Sequence, residues 1–170
     1  MAHAERTVIV DRPIAEVFAF LADPTNERLW RPEVISIEHI GGSGVGAQYA
    51  QTRKGPGGRR IPGDFRLSRV EEPTRIEFEV TAGPARPTGS FLLNDTGTGS
   101  TEVTFTLDLV PKGFIKLLTP LINKQVRREV ANLDNLPTRS PTDQKKLPGI
   151  TRRKPTLSPT WNTTARTAQI

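Results

Sequence analysis

Cysteine is absent from the 170-residue chain, which excludes disulfides, thiolate nucleophiles and thiolate metal sites. Histidine is nearly absent: only His3 and His39 occur. A histidine-rich metal centre is therefore excluded, and a His-dependent triad would have to use one of these two. No run of about 18 apolar residues exists, so no membrane span is expected. The opening MAHAERTVIVDRP is too polar for a signal peptide, and the expected location is the cytoplasm. Most of the chain also lacks net charge. The formal charge is +6, yet residues 1–136 hold 17 Lys+Arg and 17 Asp+Glu. The last 34 residues hold seven bases and one acid, Asp143. The body thus lacks the basic face that nucleic-acid binding needs. No metal and no cofactor are implied.

What is present is a regular succession of short elements. Residues 8–11 read as an edge strand. Arg12-Pro13 then opens a helix over 13–22, with Ile14, Val17, Phe18 and Leu21 at helical spacing. Asp23-Pro24 reads as an N-cap and first-turn proline for a second short helix, which ends near Trp30 because Pro32 blocks continuation. Six strands follow, over 34–40, 45–53, 59–70, 75–81, 90–94 and 101–109. The last alternates cleanly: Val103, Phe105, Leu107 and Leu109 share one face, and Glu102, Thr104, Thr106 and Asp108 the other. Consecutive strands with short connections predict an antiparallel meander that is apolar on one face. GGSGVG lacks phosphate-loop spacing, and KGPGGRR reads as a hairpin turn.

The apolar face needs a cover, and residues 111–136 supply one. Phe114, Leu117, Leu118, Leu121, Ile122, Val126, Val130 and Leu133 follow a 3-4 spacing, with Lys124, Arg127 and Arg128 mostly off that stripe. Pro120 predicts a kink between 116 and 120, or a fresh helix start capped by Thr119. Residues 137–170 carry several prolines, many Thr and Ser, and no periodicity. They read as a disordered basic tail behind a domain of residues 1–136.

With that order, VDRPIAEVFAFLADPTNERLWRPEV resembles the opening of the START-like (SRPBCC) superfamily, in particular its bacterial polyketide cyclase/dehydrase and lipid-transport branch. The central strands from GVGAQYAQTRK onward and the segment LVPKGFIKLLTPLINKQVRREVANLDNL are similar to that family's sheet and closing helix. The resemblance implies an α+β helix-grip fold: a seven-stranded curved antiparallel sheet around a long C-terminal helix, with two short helices after strand one. Relatives usually finish the helix within a few residues. The tail here is therefore an unstructured extension or the product of a shifted reading frame.

The same resemblance implies a cavity between sheet and helix. The inward set would be Tyr49, Phe65, Phe78, Val80, Phe91, Leu93, Phe105, Leu107, Phe114, Leu118 and Ile122, with Trp30 as lid, wall or plug. By two-residue parity Gln51 and Arg53 share Tyr49's face, but Arg53 lies near a hairpin end, where a solvated rim is expected. Asp64 has the opposite parity to Phe65 and faces outward unless Gly63 permits a bulge. Tyr49, Arg53 and His39 are the candidates for proton transfer or anchoring, His39 more readily as a structural histidine. Three functions fit. The first is binding or carrying a small hydrophobic molecule such as a lipid, isoprenoid or polyketide. The second is a cyclase or dehydratase without metal or cofactor. The third is a protein-interaction or chaperone-like module. The fold alone does not choose among them.

Overall fold

The computed structural model describes residues 2–83, 85–109 and 119–136. Its sheet is antiparallel throughout, in the order β1-β8-β7-β6-β5-β3-β2, with β4 added beside β3. Strand β1 spans Ala2–Val10, β2 Val34–Gly41, β3 Gln48–Lys54, β4 Arg60–Pro62, β5 Phe65–Glu71, β6 Arg75–Val80, β7 Thr88–Asp95 and β8 Thr101–Leu109. Helices α1 (Ile14–Ala22) and α2 (Glu27–Trp30) follow β1, joined by a 3-10 turn at Pro24–Asn26. Helix α3 is described over Thr119–Ala131, and a 3-10 turn over Asn132–Asn135 ends it. This is the helix-grip architecture.

Local chemistry accounts for most boundaries. Asp23 caps the turn before α2, its carboxylate accepting from the Thr25 amide at 3.0 Å, with Pro24 in the first position. Strand β8 is the cleanest alternating segment. Thr101, Val103, Phe105, Leu107 and Leu109 are buried, while the residues between them are only partly covered. Val126, Val130 and Leu133 of the C-terminal segment are buried, and Lys124, Arg127 and Arg128 are exposed, as the stripe predicts.

Two elements differ from expectation. Strand β1 starts at Ala2 and pairs residue by residue with β8, from Ala2↔Leu109 to Val10↔Thr101. Its polar residues conceal it in the sequence: His3, Glu5 and Thr7 occupy the outer face, where Thr7 and Thr104 hydroxyls meet at 2.9 Å, and Arg6, of inner parity, reaches Asp134. The expected strand over 59–70 is two strands. Pro62 has no amide hydrogen, and Gly63 and Asp64 leave the ladder there. The Gly63 amide donates to the Gln51 carbonyl at 2.8 Å, and the Gln51 amide donates to the Asp64 carboxylate at 2.9 Å. Both β4 and β5 therefore pair with β3 on either side of a break. The kink expected near Pro120, Phe114 and Leu118, and the tail 137–170 lie outside the described residues, as does the side chain of Ile122.

Candidate functional site

Five aromatic rings line one face of the sheet and touch in sequence. Tyr49 of β3 stacks on Phe65 of β5, with centroids 5.2 Å apart. Phe65 meets Phe78 of β6 at 5.7 Å, and Phe78 meets Phe91 of β7 at 6.2 Å. Phe91 stacks on Phe105 of β8 at 4.5 Å. The row crosses five adjacent strands because each strand places one aromatic at an inward parity position. Gly89 makes room for it. A Cβ there would lie 2.3 Å from Phe78 Cζ and 2.9 Å from Leu107 Cδ2.

Trp30 closes one end. It is 2% exposed and presents edge contacts to Phe91 and Phe105, with centroids 6.1 and 6.2 Å away. Its carbonyl accepts from Asn135 Nδ2 at 3.2 Å, which ties the loop to the end of the C-terminal helix. A tryptophan sits in this proline-flanked loop because its ring packs onto the sheet. Tyr49, Phe65 and Phe78 continue the row beyond the two rings it touches. Leu107 is buried on the same face.

Beside Trp30 lies a buried charge cluster that the sequence reading largely missed. Arg31, with a side chain 4% exposed, is its hub. Its Nη1 donates to Glu27 Oε2 at 2.8 Å, and its Nη2 to Glu129 Oε2 of α3 at 2.9 Å. Its guanidinium carbon stands 5.5 Å from the Trp30 ring centroid and 5.7 Å from that of Phe105. Gln51 Nε2 donates to Glu27 Oε2 at 2.9 Å, and Gln125 Nε2 to Glu129 Oε1 at 3.0 Å. Arg53 Nη2 forms a close ion pair with Glu129 Oε2. The expectation of a solvated Arg53 is thus corrected: its side chain is 18% exposed and turns inward. Gly63 permits this, since a Cβ there would meet Arg53 Cδ at 2.9 Å.

The electrostatics follow from burial against pairing. Burial pushes the Glu129 carboxyl upward, but the Arg31 and Arg53 guanidiniums outweigh it and hold the group at about 2. Burial likewise opposes the Arg31 charge, and Glu27 and Glu129 more than restore it, so its pKa is raised. Burial, and then the negative charge of Asp23, raise the Tyr49 phenol above its ordinary value. At neutral pH Tyr49 is therefore a protonated hydrogen-bond donor.

The remaining candidates stand apart. His39 pairs with Tyr49 across β2 and β3, its ring 5.2 Å away, but it is exposed and its Nε2 lies 2.8 Å from the Gly42 carbonyl oxygen. It shares Tyr49's face but stands at the exposed edge strand, outside the buried row. Asp64 is spent on the Gln51 amide. Among the described residues no group of three or more His, Asp or Glu is arranged to hold a metal ion. Two surface depressions, of about 440 and 380 Å³, lie at the β2–β3–β4 corner and between β1 and α3. Neither is lined by a ring of the aromatic row.

Residues 1–140 match the family model for polyketide cyclase / dehydrase and lipid transport. The chain belongs to this family. Solved structures with the same fold include three that illustrate its range. TTHA0849 from Thermus thermophilus is 19% identical, with a TM-score of 0.68 over 79% of this chain and 94% of that one. The Zhui aromatase/cyclase from Streptomyces sp. R1128 is 16% identical, with a TM-score of 0.65 over 79% and 88%. A START superfamily protein from Mycobacterium smegmatis is 15% identical, with a TM-score of 0.65 over 81% and 95%. At such identities the likeness shows the fold alone. No functionally curated protein matches the sequence. Among the described residues no helix is long and apolar enough to cross a membrane.

Proposed function

We propose that this protein binds a small, largely apolar molecule on the concave aromatic face, in front of Tyr49, Phe65 and Phe78. The observation that carries the reading is the unbroken row of rings across five strands, of which Trp30 touches only Phe91 and Phe105. Membership of a family described by polyketide cyclisation and lipid transport supports a ligand of that character. Binding is desolvation: burying about 300 Å² of apolar ligand surface at ~25 cal/mol per Å² releases roughly 7–8 kcal/mol before ordering costs. Micromolar affinity needs no ion pair. Leu107, Phe91 and Phe105 form the wall beneath Trp30, whose rotation would widen the site.

The test is native mass spectrometry of the freshly purified full chain. A bound species of a few hundred daltons, released by organic solvent and apolar in character, is the expected result. A bare chain that also fails to enhance the fluorescence of the uncharged dye Nile red would refute the reading.

A second reading is favoured by one observation, the Tyr49 phenol stacked on Phe65 in the same row. Such a donor can polarise a carbonyl while the rings hold a poly-β-ketone folded for cyclisation. Incubating wild type and Tyr49→Phe with a panel of poly-β-ketone thioesters tests it. Turnover that is present in the first and unchanged in the second removes Tyr49 from that chemistry.

A further inference from the structure

We infer that the Arg31–Arg53 cluster is a seat for a neutral carbonyl oxygen at the polar end of the ligand, and not for a carboxylate. The inference rests on the binding reading above and adds the chemistry of the ligand's head. It begins with two unmet donors. Arg31 Nε and Arg53 Nε are both buried, and neither has a hydrogen-bond partner among the described residues. A buried donor left unpaired is costly, and donors of guanidinium groups more so. Two such atoms belong to two arginines that share one carboxylate oxygen, Glu129 Oε2. The unmet hydrogen-bonding capacity thus belongs to two guanidiniums that meet at one carboxylate. The pair adjoins the aromatic face. The Arg31 guanidinium stands against the Trp30 and Phe105 rings, and Arg53 shares the inward parity of Tyr49.

The charge balance decides what acceptor fits. Two guanidiniums, Arg31 and Arg53, face two carboxylates, Glu27 and Glu129. A third carboxylate, Glu33, acts on Arg31 through its charge, while its Oε2 accepts from Asn132 Nδ2 at 2.8 Å. The cluster is thus already neutral to slightly negative. A further buried anion would meet repulsion from three carboxylates with no spare cation to offset it. A ketone or ester oxygen takes the Nε hydrogens without adding charge. The Gln51 side chain does not supply that oxygen: its Nε2 donates to Glu27, and its Oε1 accepts from neither Nε.

Three probes that share one ring and differ in the head separate the possibilities: naphthalene, 2-acetonaphthalene and 2-naphthoate, titrated calorimetrically into the full chain at neutral pH. The ketone should bind about tenfold tighter than naphthalene, the scale of a hydrogen bond to a charged donor. The carboxylate should bind no tighter than naphthalene. Arg53→Lys keeps a cation for Glu129 but removes the Nε donor. It should cut the ketone preference at least threefold and leave naphthalene unchanged. Equal affinity for ketone and naphthalene, or preference for the carboxylate, overturns the seat while leaving apolar binding intact. Failure of all three to bind overturns both readings. The wild-type comparison alone decides the matter if the variant does not fold.

Discussion

Protonating Glu129 should unlock the contact between α3 and the sheet, and the size of the effect follows from its surroundings. The carboxyl sits at about 2 in the fold against an ordinary value of 4.5. The unfolded chain therefore takes up this proton first as pH falls. The stabilisation is complete above pH 4.5 and is lost progressively as pH drops towards 2. A separation of about 2.5 pH units at ~1.4 kcal/mol each corresponds to about 3–4 kcal/mol. That is a large share of the roughly 5–15 kcal/mol that holds a domain together. Urea unfolding of wild type and Glu129→Gln, followed by circular dichroism at pH 7, 5, 4 and 3, isolates the contribution. At pH 7 the variant should be less stable by about 3–4 kcal/mol, since Arg31 and Arg53 lose their shared counter-charge. The gap should narrow steadily below pH 4.5. A gap that stays constant to pH 3 would show that Glu129 does not hold its charge through Arg31 and Arg53.

Three further outcomes follow from the packing. Trp30→Ala should cost about 3–5 kcal/mol in urea unfolding, because it empties the space against Phe91 and Phe105, and Trp30→Phe should cost less. Gly89→Ala should destabilise by about 1–3 kcal/mol, since its Cβ would overlap the Phe78 ring, whereas Gly41→Ala, with nothing within 4 Å, should not show that clash penalty. Asp134→Asn should shift the thermal midpoint little. Its partner Arg6 is about half exposed, and such surface pairs contribute less than about 1 kcal/mol.

The sheet was legible in the sequence because its apolar face is written at period two. Every inward residue anticipated between Tyr49 and Leu107 is buried, with Val80 only partly so. The charge cluster was not legible, for three physical reasons. Arg53 stands next to the hairpin, where parity is the only guide, and its inward turn depends on the missing side chain of Gly63. Glu27 and Arg31 fall in a one-turn helix too short to show a periodic face. Glu129 reads as one more charge between Arg128 and Val130, although it lies three residues after Val126 on the edge of the buried stripe. Its partners come from α2 and β3, far away in sequence. The split of strand 59–70 was foreshadowed only by Pro62 and Gly63, whose effect depends on the strand that pairs with them.

The central claim is that an apolar ligand enters the concave aromatic face beside Trp30. Replacing Trp161, which lies outside the described residues, by Phe leaves Trp30 as the only tryptophan. Its fluorescence during titration with 1,6-diphenyl-1,3,5-hexatriene, an uncharged polyene whose absorption overlaps tryptophan emission, reports directly on that face. Saturable quenching at one ligand per chain with a micromolar midpoint is the predicted result. A folded protein whose Trp30 emission stays unchanged to millimolar probe would contradict it.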